Sequence, residues 1–252
     1  MGRDIPIGHV VWHDLLTNDV EAAKRFYAGL LDWTYEIEHA AEFAWASGEF
    51  DYPLILAGGE AHGGFVNPGV GTSSEWLSYV TVDDVDRVAA KAGNLGAGIE
   101  KEPFDVPGVG RSAVIRDPEG ALICPYVPSH DYPPPAGTFV WNELVTDDTA
   151  AAEAFYGKLF GWKAEDRDAG PMGRHTVFKT ADGTEAAGAV KRPFGETGSA
   201  AQWITCLAAD EIETAVAKAL ALGGTLGMKT DAGQSAVLTD PTGALFGLIA
   251  LD

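Results

Sequence analysis

Cysteine is almost absent from this chain: Cys124 and Cys206 are the only two in 252 residues. They fall at non-equivalent places in the two halves, so no disulfide framework is expected. Basic residues are scarce as well, with 17 Lys+Arg against 37 Asp+Glu and a net charge of −20. Residues 1–130 carry 8 basic and 20 acidic groups, 8 − 20 = −12, which leaves 9 − 17 = −8 for residues 131–252. Neither half holds a basic run, which argues against nucleic acid and anionic membranes as partners. No apolar run approaches the ~18 residues of a membrane span. The opening MGRDIPIGHV has no signal-peptide core. These absences point to a cytoplasmic protein, monomer or homodimer, whose acidity serves solubility. A nucleophile elbow and a dinucleotide fingerprint are also missing. Gly63-Gly64 lacks the Lys-Ser/Thr and following helix of a phosphate loop.

What is present is a repeat. Residues 12–33 read WHDLLTNDVEAAKRFYAGLLDW, and residues 141–162 read WNELVTDDTAAAEAFYGKLFGW, an offset of 141 − 12 = 129. Ten of the 22 aligned positions are identical, including both tryptophans and Phe-Tyr. Six of the seven tryptophans pair across the halves: Trp12 with Trp141, Trp33 with Trp162, Trp76 with Trp203. A duplication of this kind governs the reading of the rest. It predicts two domains, 1–130 and 131–252, each large enough for its own core. A stiff linker at about 129–137 carries Pro133-Pro134-Pro135.

The repeated stretch predicts strand, cap, helix, strand. Val10–Thr17 is β-branched and apolar, Thr17-Asn18-Asp19 stops it and offers side-chain oxygens to cap a helix, and Val20, Ala23, Phe26, Tyr27 and Leu30 share a helical face. Short extended runs are expected at Thr34–Glu38, Phe43–Ala46 and Pro53–Ala57. A glycine-rich loop through His62-Gly63-Gly64 follows, then a strand at Trp76–Val82. Asp84-Val85 opens a second helix at an offset of 65 from Asp19-Val20, so each half is itself doubled. A short strand near Ala97–Glu100, a loop at Pro103–Gly110, strands at Arg111–Ile115 and Ala121–Val127, and the turn Asp117-Pro118-Glu119-Gly120 complete the half. In the second half Trp203–Ala209, a helix from Glu211, the turn Asp240-Pro241-Thr242-Gly243 and a strand at Ala244–Leu251 repeat the plan.

A doubled strand–helix–three-strand unit, with D-V-E-A-A-x-x-F-Y after the first strand and D-P-x-G before the last, resembles the vicinal oxygen chelate superfamily. That group includes glyoxalase I, bleomycin-resistance proteins and extradiol dioxygenases. The resemblance implies an α+β fold of four βαβββ modules forming two curled sheets with cups. It also implies metal ligands on first and last strands. Those places fall at Trp12, Leu77 and Cys124 in the first half and at Trp141, Ile204 and Gly247 in the second. The Pro53–Ala57 strand adds no His, Asp or Glu. Indole and alkyl side chains do not bind a divalent cation, and a lone thiol makes no site. The expectation is therefore no metal and no cofactor.

Strand alternation sorts the remaining candidates. Trp12 and Asp14 share the cup face, with His13 on the helix side; Trp141 and Glu143 repeat the pattern, with Asn142 opposite. An aromatic followed by a carboxylate suits a stacking platform with an acid beside it, or a plugged metal site with a paired acid. Tyr79, Cys124 and Tyr126 fall on the same parity. Arg111 is placed near the cup mouth, where it either clamps an anionic group or pairs with Asp14. His62 and His175 have no repeat partners, and neither is expected in the site. The expected ligand-binding set is Trp12, Asp14, Tyr79, Arg111, Cys124, Tyr126, Trp141 and Glu143, with the first cup working and the second plainer. Three readings stay open: a small-molecule binder for an aromatic or carbonyl metabolite or antibiotic, a metal-independent or atypical enzyme (lyase, isomerase, cyclase or hydroxylase), and a scaffold with filled cups.

Overall fold

In a computed structural model of the protein, the described residues are 6–43, 46–69, 71–130, 137–168, 173–192, 200–230 and 234–251. The triple proline at 133–135 lies outside them. The first module is β1 (Val10–Leu16), α1 (Val20–Leu31), β2 (Thr34–Phe43), β3 (Ala46–Ala57) and β4 (Glu60–Val66). The second is β5 (Glu75–Thr81), α2 (Val85–Asn94), β6 (Gly98–Val106), β7 (Gly110–Arg116) and β8 (Leu122–Pro128). The third is β9 (Phe139–Thr146), α3 (Thr149–Phe160), β10 (Lys163–Asp168), β11 (Arg174–Lys179) and β12 (Glu185–Lys191). The fourth is β13 (Gln202–Ala209), α4 (Ile212–Ala221), β14 (Thr225–Lys229), β15 (Ser235–Thr239) and β16 (Leu245–Ala250). They make two eight-stranded mixed sheets of the same order, β2-β3-β4-β1-β5-β8-β7-β6 and β10-β11-β12-β9-β13-β16-β15-β14.

The helices begin where the sequence caps them. Asp19 accepts from the Ala22 amide and Asp84 from the Arg87 amide, satisfying donors that a first helical turn leaves open. Helix α1 ends at Asp32, the one described non-glycine residue in the left-handed region (φ 55°). Its buried face is Ala23, Phe26, Tyr27 and Leu30, as the periodicity predicts.

The strands depart from expectation in three places. Three short runs after Trp33 are instead one long antiparallel hairpin, β2 on β3. The expected glycine loop at 62–64 is strand β4, lying parallel to β1 with His13 opposite Gly63 and Asp14 opposite Gly64. Glycine is disfavoured in strands unless something approaches closely, and here two groups do. A Cβ on Gly63 would sit 2.1 Å from the His13 carbonyl oxygen, and one on Gly64 would sit 2.1 Å from the Tyr52 ring. The expected loop at Pro103–Gly110 is likewise strand as far as Val106; β6 is an edge strand with register irregularities, a position that tolerates Pro103.

The hydrophobic cores do not follow the sequence repeats. Two compact units divide the chain: Met1–Val11, Ser78–Pro133 and Trp141–Trp203 make one; Trp12–Leu77, Pro134–Val140 and Ile204–Asp252 make the other. In the first unit α2 and strands β7 and β8 share a core with α3 and the strands that follow it. In the second, α1 shares a core with α4, close enough that a Cβ on Gly29 would lie 2.9 Å from Leu222.

This arrangement explains two sequence motifs at once. Tyr27 of the first F-Y donates to Asp240 of the second D-P-x-G turn at 3.0 Å and accepts from the Trp76 indole at 3.1 Å. Tyr156 of the second F-Y donates to Asp117 of the first D-P-x-G turn at 2.7 Å and accepts from Trp203 at 3.0 Å. Each aspartate uses its other oxygen to hold its own turn, accepting amides of Glu119 and Ala121, or of Thr242 and Ala244. Burial and the neighbouring aspartate charge push both phenols well above the usual tyrosine range, so both remain donors.

Candidate functional site

Leu15 lies in the helix-side core, and His13 is buried there in a parallel stack on Phe139, with ring centroids 4.1 Å apart. Trp12 and Asp14 alternate with them and so occupy the opposite face of β1. There the Trp12 indole N–H donates to Asp14 Oδ1 at 3.1 Å, and the Tyr52 hydroxyl donates to the same oxygen at 2.5 Å. Asp14 is buried at 2% exposure, so these donors stand in for lost water. Tyr52 reaches it across β4 because Gly64, directly opposite Asp14, has no side chain in the way. Burial, then the Asp14 charge, hold the Tyr52 phenol well above its usual range.

The third module builds the same device with different chemistry. The Trp141 indole donates to Glu143 Oε2 at 2.7 Å, and His175 Nε2 lies 3.0 Å from that oxygen. Glu143 is opposite Gly188 on β12, as Asp14 is opposite Gly64. A Cβ on Gly188 would meet His175 Nε2 at 2.5 Å and the Glu143 oxygens at 2.7 and 2.8 Å. His175 precedes Val177, the β11 partner of Gly188, by two residues; Tyr52 precedes Leu54, the β3 partner of Gly64, by two. His175 is therefore the structural counterpart of Tyr52. The fixed repeat offset hides this, because the β2–β3 hairpin is longer than β10–β11. The offset is 143 − 14 = 129 for the acids but 175 − 52 = 123 for these two residues. Matching each acid to the glycine across from it would have found both.

Tyr79, Cys124 and Tyr126 come together on neighbouring strands. Tyr79 pairs in register with Cys124, Thr81 with Tyr126, and the two tyrosine rings meet edge-on at 5.9 Å. Tyr126 donates to the Val109 carbonyl at 2.8 Å. Arg111 does not join them. It shares the strand face of Ala113 and Ile115, which is the helix-side core, and its guanidinium holds both oxygens of Asp86 on α2 at 2.7 and 2.8 Å and Asp105 at 2.7 Å. The alternation along β7 turns it away from the tyrosines. Trp12 and Asp14 belong to one compact unit, and Tyr79, Cys124, Tyr126, Trp141 and Glu143 to the other. The second half is not the plainer one in its polar chemistry, since it carries the carboxylate–imidazole pair.

The family profile described as Glyoxalase/Bleomycin resistance protein/Dioxygenase superfamily matches residues 6–124, and that of a Glyoxalase-like domain matches residues 141–249. CFP32 of Mycobacterium tuberculosis, provisionally named a glyoxylase, is 31% identical over 250 residues, covering 94% of this chain and 93% of that protein. The chain belongs to this superfamily. Within it, the anthracycline biosynthesis protein DnrV of Streptomyces peucetius is 29% identical over 267 residues, covering 97% of this chain and 94% of DnrV. Two solved members share the fold. The 2,2',3-trihydroxybiphenyl 1,2-dioxygenase of Sphingomonas wittichii has a TM-score of 0.63 at 13% identity, over 97% of this chain and 91% of its own. The Mn(II)-bound glyoxalase of Novosphingobium aromaticivorans has a TM-score of 0.60 at 14% identity, over 97% and 82%.

The places where the resemblance puts metal ligands are held here by Trp12, Leu77 and Cys124 and by Trp141, Ile204 and Gly247. The Trp12 and Trp141 indoles are hydrogen-bond donors already turned onto carboxylates. Leu77 and Ile204 are buried alkyl groups, and the space beside Gly247 is taken by Cys206 Sγ, 2.5 Å from where a Cβ would stand. Among the described residues, no three His, Cys, Asp or Glu side chains cluster as a metal ion requires. Also among them, no helix is long and apolar enough to cross a membrane.

Proposed function

We propose that this superfamily member binds planar aromatic or carbonyl small molecules at two separate sites, one against Trp12 and one against Trp141. The observation that carries the reading is the indole–carboxylate pair built twice, Trp12 on Asp14 and Trp141 on Glu143. In each, the bond to the carboxylate fixes the ring plane and leaves a half-buried aromatic face, which suits stacking at low entropic cost. Relatives named for anthracycline biosynthesis support the ligand class, because anthracyclines are planar polycyclic aromatics. Tyr79, Cys124 and Tyr126 line the same face of their strands and would add an aromatic wall with a few polar groups, the usual composition of a ligand site.

A second reading, an enzyme working without metal, is favoured by one observation: His175 on Glu143, a pairing suited to moving protons.

The test is fluorescence titration with hydroxyanthraquinones and related planar metabolites. Binding should quench tryptophan emission. Trp12→Ala and Trp141→Ala should each weaken a ligand of their own site by about tenfold, equivalent to ~1.4 kcal/mol of lost stacking. If the double variant binds as tightly as the native chain, the indoles are structural and this assignment fails.

A further inference from the structure

The two indole–carboxylate sites differ in the acid, Asp14 against Glu143, and in the group that meets it from across the glycine. In the first, the Tyr52 hydroxyl donates a hydrogen bond to Asp14 and the phenol remains neutral. In the second, an imidazole stands in its place.

Glu143 is left unbalanced. Among the described residues its donors are the Trp141 indole and His175 Nε2, both on Oε2, while Oε1 is buried with no hydrogen-bond partner among them. A buried carboxylate oxygen without a donor is costly, and a positive charge nearby relieves it. Among the described residues, the titratable group bonded to this carboxylate is His175. With Nε2–H committed to Glu143, the lone pair of the neutral ring lies on Nδ1, which has no partner among the described residues. The same carboxylate then stabilises the imidazolium that forms when Nδ1 takes a proton, as in other acid–histidine pairs. The hydrogen bond that His175 donates to Glu143 moves the imidazole above its ordinary range, outweighing burial, which opposes the charge. Arg167, across from His175 on β10, opposes it too; its guanidinium is paired with Glu185 on β12 and with Glu165, and Glu185 favours the charge. The His175 ring stands at 64° to the Trp141 ring, centroids 6.3 Å apart, so a planar molecule stacked on the indole meets the imidazole at its edge.

We propose that Glu143 and His175 form a proton-accepting dyad for a phenolic or enolic hydroxyl on a planar ligand, resting on the reading that such a ligand stacks on Trp141. The ligand O–H bond breaks, its electron pair stays on the ligand oxygen, and the proton forms Nδ1–H. The product is a phenolate or enolate beside an imidazolium held by Glu143, with no co-reactant needed. Return of the proton to another atom of an enolate would complete an isomerisation. Gly188 is the positioning residue, since any side chain there would separate Nε2 from the carboxylate.

A hydroxyanthraquinone that ionises in mildly alkaline solution reports both steps, because its anion absorbs further to the red. The intact chain is saturated with the dye at a pH below the dye's own ionisation. Expected are quenched tryptophan emission together with the anion spectrum. His175→Gln and Gly188→Ala, each checked for native circular dichroism, should return the bound dye to its neutral spectrum. Glu143→Gln should cut the anionic fraction at least tenfold. Quenching by the intact chain with a neutral-dye spectrum overturns the dyad while leaving the stacking site standing. An anion spectrum that survives in His175→Gln overturns it as well. Absence of quenching in the intact chain removes the stacking site and the dyad with it.

Discussion

Tyr27 donates its hydroxyl proton to Asp240 across 213 residues of chain, at 3.0 Å and in full burial. The aromatic of one F-Y motif and the turn of the opposite D-P-x-G motif are thus two ends of one contact, made a second time by Tyr156 and Asp117. Neither motif is explained within its own half.

Replacing Tyr27 with Phe keeps the packing and removes the hydroxyl. The Trp76 indole N–H and Asp240 Oδ2 then lose their shared partner in a buried site. Urea unfolding should show a loss of about 1–3 kcal/mol. A change indistinguishable from zero would mean that water enters and replaces the phenol.

Cutting the chain between the repeats should leave both pieces short of a core. Residues 1–130 would expose the α1 and α2 faces that meet α4 and α3. Each piece alone should melt without cooperativity by circular dichroism, and mixing the two should restore a cooperative transition. Independent cooperative melting of either piece would contradict the shared cores.

Two glycine-to-alanine changes should act in opposite directions. At Gly63 the new Cβ would strike the backbone oxygen of His13, which cannot swing aside. The cost should reach or exceed ~1–3 kcal/mol. At Gly93, near the end of α2, nothing lies within 4 Å and the backbone has ordinary φ, so alanine should stabilise by up to about 1 kcal/mol. Thermal melts of the two variants decide it.

His175 gives stability a pH signature. Its folded pKa is raised above the ordinary 6.5, first by the bond to Glu143. The stabilisation is therefore fully present below about 6.5 and is lost as pH rises through the folded pKa. The melting temperature of His175→Gln should fall furthest short of the native value below about pH 6.5, with the gap closing as pH rises through the raised pKa. The site is part-exposed, so solvent screening keeps the effect small. A gap that widens towards alkaline pH would contradict the raised pKa.

Much of the fold was legible because its signals are local. Asp19 and Asp84 stand where helices need acceptors, Phe26, Tyr27 and Leu30 keep helical spacing, and the Asp117 and Asp240 turns are spelled out by Pro and Gly. The parity of Trp12 and Asp14 against His13 followed from strand alternation alone. Strand β4 was not legible, since Gly63 and Gly64 read as a loop until the His13 carbonyl and the Tyr52 ring are known to press on them. Tyr52 and His175 were hidden for the same reason: what recruits each is the acid across an intervening strand. Arg111 was misplaced by treating its strand as a rim, whereas β7 alternation turns it towards Asp86.

The exchange of partners between repeats also sets an order for biosynthesis. At roughly 5–20 residues per second, the interval between translating Tyr27 and translating Asp240 is about 10–40 s. The second and third modules, adjacent in sequence, can close their core as soon as both have emerged. The first module must wait for the last, holding the apolar face of α1 uncovered on the ribosome in the meantime. Nascent chains of this protein should thus engage chaperones through the first module, and should be released only once the fourth module has emerged.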